Sequence, residues 1–436
     1  MEWWLIIIIA FGSLIIFFCT GLPIAISFMA LNVIGLLLLY GVKGLVLLPN
    51  SIYESVATFT MTPIPLFILL GEILFQSRAV DICFNAMDKW VGSVKARLHI
   101  VTLIFSVIFG AISGAAMASC AIMGTIVLPE MLRRGYNKKM SCGVIMAGSC
   151  LDPLIPPSVL AVIIAGMANV SVAKLLISGI GPGLLLGAIF MLYVITLIKV
   201  KPDYAPAYTA TSTFREKIES LLHLLPFLVI IFLVLGLLLL GIATPTESAA
   251  TGVMGGLFVS ALFGHLTMDV MKKSLINTIK ITATILIILA SSKAYSQILA
   301  ISGGARGLVE TVSNLHWHPL WMLAIMQGIP LLLGCFIDQY SIMMICIPIY
   351  FPILEVLKFD PLWFWCLFLI NMTVGGITPP FGFILFVMKS VAPKEITLMD
   401  VYHSSTPFVI MTVIGMFLVV IFPGIAVWLP NWLFGK

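Results

Sequence analysis

Two proline pairs are the residues whose type and spacing point most directly to chemistry. Pro156 and Pro157 close the segment Gly148 to Pro157 (GSCLDPLIPP), and Pro379 and Pro380 close Gly375 to Pro380 (GGITPP), 223 positions later. Each pair lies inside an apolar run long enough to cross a membrane. Proline donates no backbone hydrogen bond and biases the residue before it away from the helical region, so both runs must break in mid-span. Carbonyl oxygens near Asp152 and Pro153, and near Gly375 and Gly376, are thereby predicted to lose their helical partners, and such oxygens suit a small hard cation. The helix that resumes after each pair points its positive N-terminal end at the same depth, beside Ser158 and Thr378, which suits a carboxylate. One site then serves both an ion and an anion.

Broken backbone at that depth is tolerated only where it is buried in protein or lines a watery cavity. The rest of the chain must therefore enclose it. With 61% hydrophobic residues, 9% charged residues and a mean hydropathy of +1.17, the composition excludes an ordinary soluble domain and predicts an all-α polytopic membrane protein. The first apolar run, from Trp3 to Cys19, has no basic segment ahead of it and reads as a retained helix rather than a removed signal peptide. Eight cysteines fall mostly in apolar runs without paired metal-ligand spacing, and six histidines are scattered. These patterns argue against a metal site, a disulfide frame or an enzyme. No Walker A pattern is present, so ATP is not the energy source of this chain. The net charge of +5 is read as basic loops facing one side of a lipid bilayer, with no nucleic-acid partner.

Landmarks recur at a constant offset. Pro245 follows Pro23 by 222 positions and Pro352 follows Pro129 by 223, which predicts an internal duplication. The first repeat covers residues 1–198, a cytoplasmic connector covers 199–221, and the second repeat covers 222–436. Within the first, the stretch 98–132 is too long for one crossing and is flanked by basic residues at both ends, so it enters and returns on the same face. Its small-residue middle, Gly110 to Gly124, serves either tight helix packing or close approach to a ligand. A matching hairpin is expected at about 320–351, and the broken helices at about 140–167 and 362–388. If each repeat has five crossings and one hairpin, the odd number forces the second copy to insert upside down. Loops assigned that way put most of the basic residues inside, Lys280 and Lys389 among them, and both termini outside.

Charges in or near apolar runs need a reading of their own. Glu72 and Lys293 occupy nearly equivalent places and either pair structurally or flank the pathway. Asp338, near the tip of the second hairpin, either binds a cation or holds the tip by hydrogen bonds. Glu247 follows Thr244 and Pro245 in a helix-start capping arrangement. Gly252 and Gly256 are a packing element.

Several segments together carry a resemblance: Ser113-Gly114, Leu128 to Tyr136 (LPEMLRRGY), Leu154 to Ser158 (LIPPS), Gly181 to Leu185 (GPGLL), Thr244 to Ala250 (TPTESAA) and Gly375 to Gly382 (GGITPPFG). In that order, and over essentially the whole chain, the sequence resembles the large membrane subunit of TRAP (tripartite ATP-independent periplasmic) transporters. The resemblance implies two inverted repeats in an elevator-type fold with scaffold and transport domains, and sodium-coupled uptake of an organic anion across the bacterial inner membrane. It also implies a small four-helix membrane subunit and a periplasmic substrate-binding protein as partners. The expected sodium ligands lie among Ser113, Gly114, Asp152, Pro153, Ile155, Pro156, Gly334, Asp338, Gly375, Gly376, Thr378 and Pro379. Substrate contacts are expected among Ser113, Ala115, Pro157, Ser158, Thr378 and Pro380. Two departures stand out: Ala115 occupies a tip position where a hydroxyl is common, and CLDP precedes LIPPS where a glycine-rich run is usual. The chain lacks the extra helices of a fused small subunit, so that partner is expected as a separate polypeptide. A stand-alone divalent-anion/sodium symporter with the same repeats is the alternative. C4-dicarboxylates, 2-oxo acids and sugar acids, sialic acid included, all remain open as cargo.

Overall fold

Helices carry the architecture throughout, and no β-strand occurs among the described residues, consistent with a medium that offers backbone groups no hydrogen-bond partner. The computed structural model describes residues 2–89, 96–113, 116–206, 214–314 and 317–435. Eight helices among the described residues are long and apolar enough to cross a membrane. Neither half of a broken helix qualifies alone: Lys138–Leu151 has 14 residues and Val159–Met167 has nine, against about 20 needed for the hydrocarbon core.

The duplication is visible as a repeated order of elements. Arg97–Ser113 and Ala116–Arg133 form the first hairpin, followed by the broken helix Lys138–Leu151 and Val159–Met167. Pro319–Leu333 and Gln339–Leu357 form the second hairpin, followed by Pro361–Gly375 and Phe383–Val391. Pro319 follows Arg97 by 222 positions, and Pro361 follows Lys138 by 223. Even the caps correspond. Asn137 Oδ1 accepts from the N–H groups of Lys139 and Met140 at 3.0 and 3.2 Å. Asp360, 223 positions later, does the same for Leu362 and Trp363 at 2.8 and 3.1 Å, satisfying amides a helix start leaves open.

The broken helices sit at the centre. Every residue from Met140 to Leu151 and from Trp363 to Gly375 is buried, so the helix leading into each break is shielded from lipid by protein. Against this body stands a wall of four helices packed on one another: Ile24–Tyr40, Pro63–Gln76, Pro245–Leu262 and Met268–Ile301. Gly252 and Gly256 let Pro245–Leu262 lie close to Pro63–Gln76, each glycine facing Leu70. This is the packing role expected of them. Met268–Ile301 has 34 residues, about 51 Å of helix, more than a bilayer core requires.

Several boundaries differ from expectation. The returning helix of the second hairpin runs on to Leu357 through Pro348 and Pro352. A helix begins at Phe214, inside the stretch assigned to the connector; residues 207–213 lie outside the described residues. Lys280 lies within Met268–Ile301 and not in a loop. Thr267 caps that helix through Val270 N–H at 3.2 Å, so the basic residues after it are helical from the start.

Candidate ion and acid site

The first break is wholly enclosed, with residues 151–160 all buried, including Ile155, Pro156 and Pro157. Ser158 ties it together: its Oγ accepts from Ala161 N–H at 3.1 Å and donates to the carbonyl of Pro153. Hydroxyl and carbonyl are therefore both engaged within the break. Asp152 is different. It is 0% exposed, and both carboxylate oxygens lack a hydrogen-bond donor. Ser119, from the first hairpin, offers it a weak hydroxyl contact that falls short of a full hydrogen bond. A further hydroxyl without a hydrogen-bond partner, that of Ser106, lies against Gly148, one helical turn before Asp152. A buried carboxylate without a partner is costly, and the oxygens around it are the donors a hard cation takes. Among the described residues no group of three or more His, Cys, Asp or Glu could hold a metal ion.

The second break is less enclosed, and Pro380 is exposed. Its carbonyls are engaged: that of Gly376 accepts from Ile384 N–H at 2.9 Å, and that of Pro380 accepts from the Tyr402 hydroxyl at 2.7 Å. The Thr378 hydroxyl donates to the Val374 carbonyl at 2.8 Å. The carbonyls of Pro153 and Gly376 thus have no helical partner, and each accepts instead from the segment that resumes after the break. Each carbonyl keeps a second lone pair. The hairpin tip closes on this break: Phe381 N–H donates to the Cys335 carbonyl at 3.0 Å, and a Cβ on Gly334 would stand 2.8 Å from the Gly375 Cα. Asp338 caps Gln339–Leu357, its Oδ1 accepting from Tyr340 and Ser341 N–H at 2.9 and 3.1 Å. Its other oxygen accepts from the Ser341 hydroxyl.

In the first hairpin, Gly114 and Ala115 lie outside the described residues, and Ser113 is described only as the last residue of Arg97–Ser113. Ala116 is the first described residue of the returning helix. It lines a cavity of about 410 Å³ together with Val159, Gln339 and Phe383, the first residues of three more helices. The helix starts at Val159 and Phe383 therefore turn partial positive charge towards one space, while that at Gln339 is already met by the Asp338 carboxylate. Pro153 also lines it, and Glu72 and Lys280 stand on the wall opposite. Among the described residues expected from the sequence, Pro153 alone lines this cavity; Pro157, Ser158, Thr378 and Pro380 do not. Sequence reasoning missed Lys280 by placing it in a loop. Glu72 and Lys293 do not pair. Glu72 Oε2 accepts from Asn277 and Gln76 amides at 3.0 and 3.3 Å, whereas Lys293 lines a second cavity of about 260 Å³ with Glu54.

Paired hairpins, paired breaks and a cavity where they meet, in an all-helical membrane protein, define a membrane transporter and not an enzyme. The sequence matches the family described as tripartite ATP-independent periplasmic transporter, DctM component, over residues 11–425. The C4-dicarboxylate TRAP transporter large permease protein DctM of Pseudomonas aeruginosa is 30% identical, over 91% of this chain and 92% of that protein. Its counterpart in Rhodobacter capsulatus is also 30% identical, over 97% and 98%. The ectoine TRAP transporter large permease protein TeaC of Halomonas elongata is 26% identical, over 94% and 96%. The YdaH transporter of Alcanivorax borkumensis, a crystal structure described as having an unusual topology, has a similar fold. Its TM-score is 0.66 at 14% identity, over 94% of this chain and 96% of that one. The chain belongs to the TRAP transporter family as a large membrane subunit. Members of that family work with a substrate-binding protein and a small membrane subunit.

Proposed function

We propose that this chain is the translocating subunit of a sodium-coupled carrier that imports an organic acid across the bacterial inner membrane. The observation that carries the reading is that the helices resuming after both breaks, at Val159 and Phe383, start on one cavity, beside a break that holds the buried carboxylate of Asp152. Helix N-termini attract the anion. Asp152, with Ser119, supplies charge and oxygen for sodium, which is cargo here. Relatives named for C4-dicarboxylates and for ectoine support a small carboxylate-bearing substrate. A separate periplasmic binding protein delivers it, and a separate small subunit braces the scaffold.

Alternating access follows an elevator scheme, in which the hairpins and breaks slide as one body along the wall that contains Met268–Ile301. Two cavities, one towards each end of that helix, support it. The basic-residue bias supports a cytoplasmic opening for the cavity beside Lys280 and periplasmic termini. The test is uptake of radiolabelled succinate into proteoliposomes. Uptake is expected only with an inward sodium gradient, the small subunit and the binding protein together; sodium-independent uptake by the isolated chain would refute the reading.

A further inference from the structure

The 410 Å³ cavity is met by both repeats at equivalent positions. Ala116, Met117 and Leu160 line it from the first, and Gln339, Tyr340 and Phe383, each 223 positions later, line it from the second. Their chemistry is unequal. The first repeat brings hydrocarbon and a thioether to these places, whereas the second brings an amide and a phenol. Other polar groups around the space are engaged or belong to the wall, as Lys280 does. Thr284 Oγ1 donates to the Lys280 carbonyl at 2.9 Å, Glu72 Oε2 accepts from the Asn277 and Gln76 amides, and the N–H groups of Tyr340 and Ser341 are met by Asp338. Gln339 is different. It is 8% exposed, its amide lies beside the Tyr340 side chain, and its Oε1 has no hydrogen-bond donor. A buried acceptor left in that condition is costly, and a cavity-lining one calls for a donor from what the cavity holds.

We propose that Gln339 is a substrate-binding residue that sets the choice of cargo: its Oε1 accepts a hydrogen bond from a hydroxyl carried beside the acid group, so the preferred cargo is a hydroxy acid. A neutral donor suits a neutral amide. An ammonium in the same place would bury a charge in a lining where Ile68, Phe109, Met117 and Ile285 supply hydrocarbon, at far greater cost than a hydroxyl. This rests on the transport reading above and adds the side chain that reads the cargo. Gln339 begins the returning helix of the second hairpin, within the body that slides, so its contact with the cargo lasts through the whole crossing. Contacts made by the wall last only while the cavity beside them is open.

Two pairs of acids that differ by one hydroxyl serve as probes: malate with succinate, and lactate with propionate. Binding is measured by calorimetry on the detergent-purified complex of large and small subunits, in sodium. In whichever pair binds, the hydroxylated member is expected to bind at least about tenfold tighter. Gln339→Met, which keeps the length and removes the amide, should bring the two members within about twofold of each other and leave the plain acid within about threefold of its wild-type affinity. Gln339→Ala, which copies Ala116 at the equivalent position, should do the same, so the test stands if the methionine variant fails to fold. The thermal shift induced by sodium alone should survive in both variants, which separates recognition from folding and ion binding. A wild-type complex without preference for the hydroxyl, or a preference that both variants keep, would overturn the proposal. Binding of none of the four acids would overturn it together with the transport reading. Acid binding indifferent to sodium would count against sodium coupling alone, with Gln339 still judged by the ratio.

Discussion

Cys150 Sγ donates to the carbonyl of Thr373 at 2.9 Å, across 223 positions of chain. That is the offset between the two proline pairs, so these residues are counterparts in the duplication. Counterparts touch only close to the axis that relates two copies. The axis therefore passes beside both breaks, and the two halves of the site are brought together by the symmetry of the fold. The chemistry placed around it is unequal. Asp152 corresponds to Gly375, and Asp338 to Ala115, each pair again 223 apart. Each combination of hairpin tip and break thus holds one carboxylate, at the break in the first repeat and at the tip in the second.

Asp152 is the carboxylate without a partner, and it gives the first prediction. Asp152→Asn keeps the shape and removes the charge, so the sodium concentration giving half-maximal thermal stabilisation should rise at least about tenfold. The sodium-free melting temperature should hold or increase, because an unpaired buried charge is costly in the ion-free protein. An unmoved sodium midpoint would remove Asp152 from the ion site.

Backbone contact between Gly334 and Gly375 gives the second. A Cβ at Gly334 would lie 2.8 Å from main-chain Cα, which cannot yield as a side-chain tip would. Gly334→Ala should therefore cost about 1–3 kcal/mol, read as a lower melting temperature of the purified complex. Gly328, in the same helix, has nothing within 4 Å of its Cβ position. Gly328→Ala is expected to stabilise by up to about 1 kcal/mol, so equal losses in both variants would contradict the close approach.

These two sites show what the sequence made legible. Breaks, hairpins and their pairing follow from proline chemistry and a constant offset, both local or periodic signals. Asp152 was legible as a charge in an apolar run. What was not legible is the wall: Lys280 lines the same cavity as the helix starts at Val159 and Phe383, and no spacing along the chain encodes that encounter. Lys272, Lys273 and Lys280 together read as a basic loop. The cap at Thr267 followed by Asp269 in the first turn is the signal that would have placed them on a helix. Ser158 and Thr378 show a feature the sequence did not announce. Their hydroxyls find donors and acceptors within a few residues, and such local bonds compete with any ligand.

The capping box at Thr244 and Glu247 offers a control for stability without transport. Thr244 Oγ1 accepts from Glu247 N–H at 3.3 Å, and Glu247 Oε2 accepts from Thr244 N–H at 2.8 Å. Thr244→Ala should cost about 1 kcal/mol and lower the melting temperature while leaving the sodium midpoint untouched. A shifted midpoint would mean that the start of this scaffold helix is coupled to the ion site.

Ile180–Val200 has 21 residues, about 32 Å of helix, enough to cross the hydrocarbon core once. Lys174, just before it, and Lys201, just after it, must then lie on opposite faces. Both are exposed. In a cysteine-free background, Lys174→Cys is expected to react with a membrane-impermeant maleimide in intact cells, and Lys201→Cys only after permeabilisation. Labelling of both from one face would abolish the crossing. Reversed labelling would keep the crossing and invert the protein, turning the cavity beside Lys280 towards the periplasm, so that the binding protein would meet the site already open.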